Sequence, residues 1–138
     1  FQTTMFHNKC DNKGATISLI SNDLNAIFGG YTSESWTSPS SFYKYKSDLT
    51  SFLYQFKPNL NIFDKKDEDG NHIFHYSTYM ITFGDGYDLK ISNDCHQNNE
   101  SYTYPTTFEF NTKDLCGGIK PKGQQNFRVI NIEVFVVE

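Results

Sequence analysis

Phe127-Arg128-Val129-Ile130-Asn131-Ile132-Glu133-Val134-Phe135-Val136-Val137 closes the chain and alternates as a β-strand does. Ile130, Ile132, Val134 and Val136 share one face, and Val129, Asn131, Glu133, Phe135 and Val137 share the other. Both faces carry apolar groups. A strand apolar on both sides belongs inside a sandwich or beneath helices, so the pattern predicts an internal strand. It also predicts a partly buried Glu133 that must find hydrogen-bond partners.

The rest of the chain supports a β-rich reading. Aromatic residues make up 17% of it, with 13 Phe and 9 Tyr, and such side chains favour pleated, half-buried strand surfaces. Ala15 to Ser21 alternates around Ile17 and Leu19, Asn22-Asp23-Leu24-Asn25 supplies turn chemistry, and Ala26-Ile27-Phe28 resumes an apolar run, which predicts a hairpin. Gly29-Gly30 within that run predicts a bulge or a close approach. Ser33 to Lys46 reads as a surface loop anchored by Trp36. Asp48 to Phe56 fits helical spacing on Leu49, Phe52, Leu53 and Phe56 and strand spacing on Phe52, Tyr54 and Phe56, and the strand is preferred.

Asp64 to Asn71 is a charged turn. His72 to Tyr76 and Thr78 to Phe83 read as short consecutive strands, and Gly84-Asp85-Gly86 turns the chain. Tyr87 to Ser92 alternates with Tyr87, Leu89 and Ile91 on one face. Asn93 to Pro105 is polar and without period, the segment expected to be an exposed, disordered loop. A chain of 138 residues fits one domain, 1–138, with a core large enough to do without disulfide or metal.

Composition excludes several classes of function. The formal net charge is −4, with 12 bases among 16 acids, and phosphate binding needs clustered Lys and Arg, so nucleic acid is set aside. No apolar run of about 18 residues is present, and Phe1-Gln2-Thr3-Thr4-Met5 lacks the basic and apolar regions of a signal peptide, so the start reads as cut from a longer protein. Cys10, Cys95 and Cys116, odd in number and widely spaced, suit reduced thiols in a cytoplasmic setting.

Candidate chemistry is thin. His7, Cys10, Cys95 and His96 are zinc-ligand types, but adjacent Cys95 and His96 aim poorly at one ion, and core thiols with surface imidazoles are preferred. Asp64, Asp67, Asp69 and Gly70 resemble part of a calcium loop, yet Lys65 stands where the first acid belongs and Tyr76 where the closing glutamate belongs. A solvated turn is the preferred reading, and a looser calcium site stays open. Gly84-Asp85-Gly86 and Gly117-Gly118 lack the companions of nucleotide-binding motifs. Neither a nucleophile elbow nor a triad can be assembled, and no metal, cofactor or catalytic residue is expected.

Larger patterns are more specific. Phe6-His7-x-x-Cys10-Asp11-x-Lys13-Gly14, Phe28-Gly29-Gly30-Tyr31-Thr32-Ser33-x-x-Trp36, Asp48 with Phe52-Leu53, and Phe83-Gly84-x-Gly86-x-Asp88-Leu89-x-Ile91 together resemble a TLDc domain. Leu115 with Gly117-Gly118 and Phe127-x-Val129-x-x-Ile132-Glu133-Val134-Phe135 are similar to its closing loop and strand. The resemblance is nearest to protist multidomain versions. It departs in lacking the helices that usually precede the first motif, so the N-terminal helical part is expected to be missing.

The resemblance implies a mainly β (α+β) fold, a sandwich of two antiparallel sheets with a few short flanking helices, and function by binding rather than catalysis. Family members include oxidation-resistance proteins, and several associate with the peripheral sector of the vacuolar proton pump. That implies a protein partner, endomembrane association only through it, and no membrane insertion. Fold-maintaining roles fall to Gly29, Gly30, Trp36, Gly84, Gly86, Asp88, Gly117, Gly118 and Glu133, with Asp11 accepting backbone hydrogen bonds. Partner contacts are expected from the loops Thr32 to Lys46 and Ser92 to Pro105, through Tyr31, Ser33, Tyr43, Tyr45, Tyr102 and Tyr104. The alternatives are a thiol-dependent antioxidant enzyme using Cys10 or Cys116, and a permanent component of a cytoskeletal or ciliary complex.

Overall fold

The computed structural model describes residues 1–68 and 70–138; Asp69, part of the charged turn, lies outside the described residues. In chain order the elements are α1 (Thr3–Cys10), β1 (Thr16–Asn22), β2 (Ile27–Thr32), β3 (Lys44–Lys46), β4 (Phe52–Lys57), β5 (Asn61–Phe63) and β6 (Ile73–His75). They continue with β7 (Thr82–Phe83), β8 (Leu89–Lys90), β9 (Ser101–Thr103), α2 (Thr112–Cys116), β10 (Gln125–Phe127) and β11 (Val129–Val136). One sheet runs β11-β1-β2-β4-β5 and the other β10-β9-β8-β7-β6-β3. All strand pairs are antiparallel, so the expected sandwich with short helices is what the chain forms.

Apolar side chains from both inner faces meet between the sheets. Ile20, Phe28 and Leu53 come from the first, and Ile73, Phe83, Leu89 and Phe127 from the second, all fully buried. Phe28 meets Phe127 edge to face at 5.3 Å, and Trp36 meets Phe83 the same way at 5.6 Å, the geometry that the ring quadrupole favours. The Trp36 indole N–H donates to Thr16 Oγ1 at 3.0 Å, so the anchor of the Ser33 to Lys46 loop is also tied to β1.

The hairpin glycines are sites of close approach. A β-carbon on Gly30 would come within 2.7 Å of the Phe83 ring of the opposite sheet, and one on Gly29 would collide with the Ser18 carbonyl. The irregularity against β4 falls slightly earlier, between Ile27 and Phe28. Ile17 and Leu19, which mark β1 in the sequence, lie on its half-exposed outer face, whereas Thr16, Ser18, Ile20 and Asn22 are buried.

The terminal segment departs from its predicted place. It is divided at Arg128: Phe127 belongs to β10 in one sheet, and the chain crosses to begin β11 in the other. Among the described residues β11 pairs only with β1 and so forms an edge strand, with Ile130, Asn131, Glu133, Phe135 and Val136 exposed. The internal strand and buried Glu133 are therefore corrected. Alternation establishes that a segment is a strand, but the number of neighbours it gains is set by chain topology. On its inner side Ile132 and Val134 pack on the core beside α1.

Two more expectations change. Asn93 to Pro105 contains β9 and the buried Cys95, and Ser92 N–H donates to Ser101 Oγ at 3.0 Å, so the segment is ordered by a polar network that hydropathy does not register. Tyr87 does not share a face with Leu89 and Ile91. Its φ of 60° turns it out of the strand, leaving those two in the core.

Candidate interaction surface

The outer face of the six-stranded sheet carries a cluster of aromatic rings. Register places Tyr45 of β3 opposite Phe74 of β6, and Lys90 of β8 opposite both Thr82 of β7 and Tyr102 of β9. The β6–β7 connection supplies Tyr79 and the β7–β8 turn supplies Tyr87. Phe74 is the hub, only 3% exposed, with ring centroids of Tyr79 at 4.9 Å, Tyr45 and Tyr87 at 5.0 Å, and Tyr43 at 5.6 Å.

Lys90 holds its ammonium 4.9 Å from the Tyr79 ring centre and 5.7 Å from that of Tyr102. Ring faces are electron-rich, so this positions a cation within the cluster with no carboxylate partner among the described residues. Burial, followed by neighbouring Asp85 for Tyr45 and Tyr79 for Tyr87 and Tyr102, raises the pKa of these three phenols. They stay protonated and can donate, as Tyr45 does to the Asp85 carbonyl at 3.2 Å. Rigid amphipathic rings around one cation suit recognition of a protein surface.

Of the residues expected to touch a partner, Tyr43, Tyr45 and Tyr102 are brought onto this face. Tyr31 is on the other sheet, stacked on Phe52 at 5.3 Å. Ser33 directs its N–H and hydroxyl to the Asp48 carboxylate, at 2.7 and 2.9 Å. Tyr104 is exposed beyond β9, its N–H donating to the Asp88 carbonyl. Phe74, Tyr79, Tyr87 and Lys90 were not singled out in the sequence. The signal for Phe74 lies in the His72 to Tyr76 alternation, but its partner strand β3 falls within Ser33 to Lys46, whose composition is that of a loop.

Two carboxylates organise the loops around the sandwich. Asp88 accepts from the N–H groups of Thr106, Thr107 and Phe108 and from the Thr106 hydroxyl at 2.6 Å. Gly84, at φ 89°, leaves room for that carboxylate, and Gly86 lies where a β-carbon would strike Thr106. Asp48 accepts from the hydroxyls of Thr32, Ser33 and Thr50 and from the N–H groups of Ser33 and Thr50. Burial alone would raise its pKa, but these donors outweigh it and hold the group at about 2.

Gly117 and Gly118 adopt φ of 86° and 84° after α2. Glu133, opposite Leu19 on the exposed side of β11, makes no side-chain hydrogen bond among the described residues. His7 fastens α1, with Nδ1 2.8 Å from Asp11 Oδ1 and Nε2 donating to the Tyr79 carbonyl at 2.8 Å. Asp11 in turn accepts the Ser38 hydroxyl rather than a backbone group.

The thiols are set against ionisation. Burial, reinforced by Asp11, raises the pKa of Cys10 over the opposing pull of Lys9 and Lys13, and burial pushes Cys95 up to about 11 and Cys116 up to about 12. Among the described residues there is no group of three or more His, Cys, Asp and Glu placed to hold a metal ion, and no helix long and apolar enough to cross a membrane.

Compared with known protein families, residues 1–138, the whole chain, match the TLDc domain. No curated protein matches the chain.

Proposed function

We propose, from the premise that this chain belongs to the TLDc domain family, that it is a non-catalytic protein-interaction module of a larger intracellular protein. Its partner is a large assembly such as the peripheral sector of the vacuolar proton pump, and the module's role is linked to resistance to oxidative stress. The observation that carries this reading is the aromatic face: Tyr43, Tyr45, Tyr79, Tyr87 and Tyr102 grouped around Phe74 and Lys90. Tyrosine offers large contact area at low entropic cost, and interfaces draw most of their energy from a few such anchors.

The raised thiols weigh against the antioxidant alternative, because the thiolate is the nucleophile and none of the three is activated. The direct test is binding of the domain to purified peripheral sector of the proton pump, with Lys90→Glu as the comparison. Saturable binding, weakened at least tenfold by the substitution, is expected from loss of a central anchor. No binding, or binding indifferent to Lys90→Glu, overturns the reading.

A further inference from the structure

The two sheets end in four edge strands, and three of them are short. β3, β5 and β10 have three residues each, and β3 carries Lys44 and Lys46. Short strands and lysines are how proteins keep sheet edges from pairing with other chains. β11 is longer: eight residues, Val-Ile-Asn-Ile-Glu-Val-Phe-Val, free of proline and lysine, irregular against β1 at Ile130 but regular from Asn131 to Val136, with no strand on its outer side among the described residues.

The hydrogen-bond parity of that edge is fixed. Val137 N–H donates to the Ala15 carbonyl at 2.9 Å. Alternation along an antiparallel pair then turns the backbone groups of Phe135, Glu133 and Asn131 toward β1, and those of Val136, Val134 and Ile132 outward. A second β11 meeting this edge about a two-fold axis must therefore be centred on a residue and not between two, so that outward groups meet outward groups. Centring on Glu133 pairs Ile132 with Val134 of the second copy but sets two carboxylates directly opposite each other at a closely spaced pair, which repels. Centring on Val134 sets Glu133 against Phe135 of the second copy. Centring on Ile132 sets Glu133 against Asn131 of the second copy, twice by symmetry, so that each carboxylate meets an amide donor within the regular part of the strand.

We propose that the free edge of β11 pairs with β11 of a second copy of this chain, antiparallel about Ile132, joining two five-stranded sheets into one of ten strands. The shallow apolar groove of about 320 Å³ between α1 and β11, with Ile132 and Val134 along one side and Met5 and Phe6 on the other, lies beside the join. This contact uses the opposite sheet from the aromatic face and does not rest on the function proposed above.

Sedimentation equilibrium of the chain under reducing conditions tests it. Asn131 and Glu133 are both exposed, so substitutions there leave the core untouched, and circular dichroism confirms the fold. The native chain dimerises reversibly. Asn131→Lys, which sets a cation opposite each Glu133, tightens the dimer about tenfold, and Asn131→Glu loosens it by about as much. A monomer at all concentrations, or a dimer indifferent to the charge at position 131, overturns the proposal.

Discussion

The hydroxyl of Tyr54 donates to the carbonyl of Ser18 at 2.6 Å, reaching from β4 over the whole width of β2 to β1. It can do so because the residue beneath it is Gly29, which pairs with Leu19 on one side and Tyr54 on the other. A β-carbon there would strike the Ser18 carbonyl and come within 3.1 Å of the tyrosine hydroxyl. Gly29→Ala must displace backbone, and we expect a loss of about 3 kcal/mol in urea unfolding. Tyr54→Phe removes only the bond, for about 1 kcal/mol. A Gly29→Ala protein as stable as the native chain would contradict this packing.

Asp48 gives the fold a defined acid limb. Its carboxyl pKa is depressed from 3.8 to about 2, so its contribution is present above the unfolded value and is lost as pH falls from near 4 through 2. Asp48→Asn keeps the shape but faces several donors with an amide. It should cost about 2 kcal/mol at neutral pH and flatten the stability profile below pH 4. A variant that unfolds with the native acid profile would contradict the assignment.

His75 acts at higher pH. Burial, then Lys46, lowers its pKa from 6.5 to about 4. Between those values the unfolded chain takes up a proton that the folded chain does not, so stability falls as pH falls, by about 1.4 kcal/mol per pH unit. His75→Phe retains a ring against Trp36, whose centroid lies at 5.7 Å in the native chain, and should remove that slope. Denaturation at pH 7 and pH 5 reads it out, and an unchanged pH difference would contradict the account.

Thiol reactivity should follow burial. At pH 7.5 in native conditions Cys116, with its pKa pushed up to about 12, should resist iodoacetamide. Half-buried Cys10 should be the first of the three to react, and all three should react together in urea. Fast native labelling of Cys116 would revive a redox role.

The period-two stretches were legible in the sequence. The β1–β2 hairpin and β4 stand where their alternation places them, and β11 is a strand as its alternation requires but lies at the edge of its sheet and not inside it. Which side of each faces in was not legible: β1 buries Thr16 and Asn22 because the indole N–H of Trp36 and the turn at Ala26 engage them, and buries Ser18 between them with its hydroxyl unpartnered among the described residues, while Ile17 and Leu19 look outward. α1 was missed although Thr3, Phe6, His7 and Cys10 follow helical spacing, because two are polar and His7 earns its place through hydrogen bonds to distant carbonyls. The aromatic face was half legible. Tyr43, Tyr45 and Tyr102 stood out as loop tyrosines, but Phe74, Tyr79 and Lys90 join them only through the pairing of strands two and three residues long.

Cross-linking mass spectrometry on the native complex tests the central claim most directly. Lys44 and Lys90 border the aromatic face, whereas Lys57 ends a strand of the other sheet. Links to the partner concentrated at Lys44 and Lys90 are the predicted result; links concentrated at Lys57, with Lys90 unmodified but still accessible, would contradict it.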